Sequence, residues 1–69
     1  MILGIQNLDA AKKALDEVGG LPVIIRATYP LHAGKGVFVV ETQEQFAASV
    51  RSAIEMSPAG ECAIEKLNT

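Results

Sequence analysis

Arg26 closes an apolar run, Val23-Ile24-Ile25, and is followed after a short gap by His32-Ala33-Gly34-Lys35-Gly36. A cation at a strand end beside a glycine-bearing loop can meet a phosphate, and reads equally well as an arginine with its stem on the sheet and its charge in water. Glycine lets backbone N–H groups approach closely, and the side-chain charge neutralises the anion. Gly34-Lys35-Gly36 is nevertheless not a P-loop, because it lacks the upstream glycine and the Ser or Thr after lysine, and it enters a strand rather than a helix. Lys35 reads equally as a phosphate contact and as a solvated loop lysine, and Gly34 and Gly36 equally as turn residues adopting positive φ. His32 has no Cys, His or Asp in register with it and reads as an ordinary loop histidine. Cys62, the one cysteine, reads as a small buried hydrophobe rather than a nucleophile. No two of Glu41, Glu44, Glu55, Glu61 and Glu65 have a spacing that argues for a shared cation, so no metal is assigned.

These residues need elements to hold them. Asn7 can cap a helix whose apolar positions Leu8, Ala11, Leu15 and Val18 recur at helical spacing until Gly19-Gly20 stops it, which predicts a helix over about residues 8 to 18. Consecutive β-branched residues bounded by glycine and proline predict a strand over about 22 to 28, and Val37-Phe38-Val39-Val40-Glu41 predicts a second. Thr42 and Gln45 have capping-box spacing, and Phe46, Val50, Ala53 and Ile54 make one stripe of a helix over about 43 to 56. Ser57-Pro58-Ala59-Gly60 ends that helix, and the segment 62 to 67 forms a third strand.

The expected fold is therefore mixed α/β (α+β), in the order α-β-β-α-β, as a single domain over residues 1 to 69. A hairpin followed by a crossover gives an antiparallel sheet in which the first strand lies between the second and third, order 2-1-3, with both helices on one face. Alternation sets Ile24 and Arg26 on the side away from Val23 and Ile25. That open face, with Ile24, Val37 and Val39 on it, is expected to dock a protein chain or a sister subdomain.

Sixty-nine residues with 49% apolar and 20% charged content suit one modest core. The net charge of −2 gives no broad attraction to polyanions, which argues against nucleic acid or a membrane surface as partner. No apolar run approaches the roughly 20 residues of a membrane span, and no secretory leader follows Met1, so the expectation is a soluble protein. A lone cysteine suits a reducing compartment, the cytoplasm or an organelle stroma or matrix.

Between Pro22 and Thr42, and again from Met56 to Leu67, the sequence resembles the ATP-grasp superfamily, most closely the large chain of carbamoyl phosphate synthetase. The similarity covers roughly residues 8 to 67: a strand ending Ile-Ile-Arg, a glycine-bearing loop, a strand, a helix, Ser-Pro, and a strand ending in charged residues. The family's loop is richer in glycine, and Ala33-Gly34-Lys35-Gly36-Val37 is instead similar to the loop of glycinamide ribonucleotide synthetase. The resemblance implies the nucleotide-covering lid subdomain of such a ligase. On that basis Arg26, Gly34, Lys35 and Gly36 hold ATP phosphates, and Glu65, Lys66 and Leu67 border adenine and ribose. It also implies that the metal ligands belong to a larger subdomain, so that this chain has no activity alone. The other reading is a small binding or structural subunit that reuses the lid fold. A chain from Met1 to Thr69, ending just past the third strand, is expected under it to be a complete short gene product.

Overall fold

A computed structural model describes residues 1–28 and 36–67. The element order is β1 (Ile2–Ile5), α1 (Leu8–Glu17), β2 (Val23–Ala27), β3 (Val37–Val40), α2 (Gln43–Met56) and β4 (Cys62–Lys66). Each helix starts where its cap is written. The Asn7 side chain accepts from Ala10 N at 2.8 Å, and Thr42 Oγ1 accepts from Gln45 N at 3.4 Å. Gln45 Oε1 reaches one residue further back than a capping box does, accepting from Glu41 N at 3.2 Å. α1 ends in a Schellman motif: Gly20 N bonds Leu15 O at 2.9 Å and Gly19 N bonds Asp16 O at 3.2 Å, with both glycines at positive φ.

The described strands form a four-stranded sheet in the order β1-β4-β2-β3, every neighbouring pair antiparallel. The three strands expected from sequence keep their expected order, with β2 between β3 and β4. The correction is β1, a fourth strand that extends the sheet beyond β4. It pairs Ile2 with Ile64 and Ile5 with Cys62, and its register shifts between them, where Gly4 sits at φ 72. A residue with a Cβ is strained at that angle, so the irregular pairing of β1 depends on glycine there. The full order is thus β-α-β-β-α-β.

Alternation sorts the two sheet faces. Val23, Ile25, Val40, Cys62 and Ile64 are fully buried against Ala11, Ala14 and Leu15 of α1 and Phe46, Val50 and Ala53 of α2. Both helices therefore cover one face. Ile24, Arg26, Val37, Val39, Ala63 and Glu65 alternate onto the other. Among the described residues, no helix is long and apolar enough to cross a membrane.

Ile64 is fully buried in β4, one of the two strands that pair on both edges, so trimming it leaves a void the surrounding sheet cannot easily close. Ile64→Val should cost about 0.5–1.5 kcal/mol and Ile64→Ala about 2–5 kcal/mol, measured by urea unfolding of the intact chain. Equal, negligible losses from both would place Ile64 outside the core.

Candidate functional site

Arg26 is the penultimate residue of β2, and its register partner across β4 is Ala63, while Ile24 faces Glu65. Arg26 and Glu65 are therefore diagonal neighbours on the face the helices leave free. Arg26 Nε donates to Glu65 Oε1 at 3.2 Å, with the two side chains 45% and 30% exposed. Beside them is a cavity of about 350 Å³. Leu3 and Gly4 of β1, Arg26, Ala27 and Thr28 at the end of β2, and Glu61 and Ala63 around the start of β4 line it. This volume is at the lower end of small-molecule sites, about 300–1,000 Å³.

The exit of β2 is held from two sides. Thr28 N donates to Glu61 O at 3.0 Å, and Ser57 Oγ donates to Thr28 O. Ser57 Oγ in turn accepts from Ala59 N at 3.2 Å, so the buried hydroxyl serves both the strand exit and the turn after α2. Gln6 Nε2 donates to Glu61 Oε2 at 3.0 Å, which fixes a carboxylate on the cavity wall. Fixed groups of this kind keep the shape of a site with little reorganisation.

Gly36 is buried, lies at positive φ, and accepts from Ala27 N at 2.7 Å, so its carbonyl closes the β2–β3 ladder next to Arg26. Gly34, Lys35 and His32 lie outside the described residues. Lys66 alternates onto the helix-covered face, and its Nζ donates to Gly20 O and Leu21 O at 2.8 Å each, across the turn from α1 into β2. Leu67 N donates to Pro22 O at 3.1 Å, so the end of β4 is tied to the start of β2. The face thus brings together Arg26 and Glu65, while Lys66 points into a structural contact.

The apolar part of the open face is also redistributed. Ile24 is half-buried between Val39 and Glu65, whereas Val39 and Val37 are 54% and 46% exposed and Leu3 is 70% exposed. Leu3, Gly4, Thr28 and Glu61 were not singled out as ligand-facing from sequence. For the first two a signal existed: Ile2-Leu3-Gly4-Ile5 is an apolar run ending just before the Asn7 cap.

Among the described residues, no group of three or more His, Cys, Asp or Glu converges to hold a metal ion. Cys62 faces the core, where burial pushes its thiol up to about 11, away from the thiolate a nucleophile requires. Because the folded protein holds this proton more tightly than the unfolded chain, stability from Cys62 is complete below pH 9 and is lost as pH rises toward 11. A thiol reagent at pH 8 should modify Cys62 only on unfolding, and the stability loss between pH 9 and 11 should shrink in Cys62→Ala. Rapid labelling of the folded chain would contradict this.

The family described as Carbamoyl-phosphate synthase L chain, ATP binding domain, matches residues 1–68. No solved structure matches the chain. The match includes β1, beyond the segment whose motifs carry the resemblance, and it takes in the whole of the Arg26 face and its cavity. A strand-end arginine on a free sheet face above a fixed cavity accords with that match, and the chain belongs to the carbamoyl-phosphate synthase L chain ATP-binding domain family.

Proposed function

We propose that the chain serves as the nucleotide-covering lid of a carbamoyl phosphate synthetase-like ATP-grasp ligase, closing its free sheet face over ATP. The observation that carries this reading is the meeting of Arg26 and Glu65 on that face, beside the cavity lined by Thr28 and Glu61. Arg26 contacts phosphate through the guanidinium hydrogens that Glu65 does not take, because a guanidinium has five donors and only Nε is engaged. Glu65 accepts from the amino or hydroxyl groups of the nucleoside, and Leu67 borders the base. Gly36, with Gly34 and Lys35, contributes from the loop. A sister subdomain supplies the metal ligands and covers the exposed apolar residues at the two sheet edges, Leu3 on β1 and Val37 and Val39 on β3.

Phosphoryl transfer depends on metal neutralisation and positioning more than on covalent help from the protein. The chain alone is therefore inactive as an ATPase or ligase, and ATP binds to it weakly. Hydrogen bonds to a charged group contribute about 1.5–3 kcal/mol, so Arg26→Ala should weaken ATP binding by about tenfold or more in calorimetry on the intact chain. Turnover with ATP, magnesium and ammonium or glutamine should stay at background. Robust turnover, or ATP affinity indifferent to Arg26→Ala, would defeat the proposal.

A second reading, a small binding or structural subunit, is favoured by one observation: Leu3, Val37 and Val39 expose apolar surface on the same face. β3 is also an edge strand whose outer backbone groups can accept a partner strand. Val39→Lys separates the two. Under the lid reading it lowers self-association or partner capture in sedimentation while ATP binding persists. Under the second, association falls and no ATP affinity exists to lose.

A further inference from the structure

We propose that Glu65 sets the ligand preference of this face through Arg26, discriminating a nucleoside triphosphate from a bare polyphosphate. The inference rests on the reading that Arg26 takes phosphate. Glu65 engages Arg26 through Nε alone, at 3.2 Å, so the carboxylate lies beside the place where an anion on the other guanidinium hydrogens would sit. Glu61 lines the same cavity, with Gln6 holding its carboxylate at 3.0 Å. Lys66, the one cation on β4, is turned to the opposite face and donates to the carbonyls of Gly20 and Leu21.

Among the described residues lining the cavity or its rim, one cation thus faces two carboxylates. A polyphosphate approaching Arg26 gains its hydrogen bonds and meets the charge of Glu65, with nothing to offer that carboxylate. A nucleoside triphosphate carries hydroxyl and amino donors at its other end. Glu65 is on the strand pair running from the Arg26 end toward Leu67, so those donors can satisfy it and turn a repulsive neighbour into a contact. Preference arises from a carboxylate that penalises the incomplete ligand.

Glu65→Gln keeps the shape and a carbonyl acceptor for Arg26 Nε while removing the charge. Binding of ATP and of inorganic tripolyphosphate to the intact chain would be measured at neutral pH for wild type, Glu65→Gln and Arg26→Ala. Partly exposed ion pairs are modest, so tripolyphosphate affinity should rise about threefold to fivefold in Glu65→Gln, while ATP affinity stays level or falls. Opposite movement of the two ligands is a result that loss of folding would not produce. Equal weakening of both would make Glu65 a structural support for Arg26 and overturn the inference, as would an unchanged ratio or no detectable tripolyphosphate binding by Glu65→Gln. If Arg26→Ala weakens both ligands and Glu65→Gln leaves their ratio alone, the inference alone fails. If Arg26→Ala weakens neither, the lid reading fails and takes this inference with it.

Discussion

β4 pairs with a neighbour on each side, antiparallel to both β1 and β2, and the rest of the structure depends on that double pairing. Its alternation sends Cys62 and Ile64 into the core and Ala63 and Glu65 to the free face. The same five residues therefore anchor α1 and α2 through packing and set the position of a carboxylate against Arg26. Because hydrogen-bond register has a side-chain period of two, a slip of one residue would exchange these sets, burying Glu65 and exposing Ile64. Core and candidate site are thus fixed by one register.

The ties at the ends of β4 have complementary effects. At its start, Glu61 and the Ser57 hydroxyl hold Thr28 from both sides, so the chain leaves β2 at a defined point beside Arg26. At its end, Lys66 and Leu67 are bound to backbone around Gly20, Leu21 and Pro22, which joins the close of α1 to the start of β2. A domain of this size has little stability to spare, and satisfied backbone groups at strand ends replace core it lacks. Among the described residues, the helix-free face carries one cation and two carboxylates, with exposed apolar side chains on the two edge strands.

Elements whose signal is local were readable from the chain itself. The caps at Asn7 and Thr42, the double glycine after α1, and the β-branched run of β2 each announced an element through neighbouring residues. β1 was missed because it is four residues long and Gly4 breaks its alternation, leaving no periodicity to count. The facing of Ile24 and Arg26 away from the core followed from period two, but the exposure of each did not. Cross-strand neighbours decide exposure, and Val39 and Glu65 shelter Ile24. The Arg26–Glu65 pair was invisible for the same reason, since 39 residues separate its members and only the β2–β4 register brings them together. The resemblance supplied both names but not their contact, and it gave no reason to expect Lys66 on the other face.

On the lid function proposed above, the helix-free face, organised by Arg26 and Glu65, receives the nucleotide. Amide chemical-shift mapping of the labelled chain during titration with ATP tests it most directly. Shifts should concentrate at Thr28, Gly36, Ala63 and Glu65, with the buried turns of α1 and α2 around Ala11, Ala14 and Val50 unmoved. Shifts centred on the helices, or none at millimolar ATP while the chain remains folded, would contradict it.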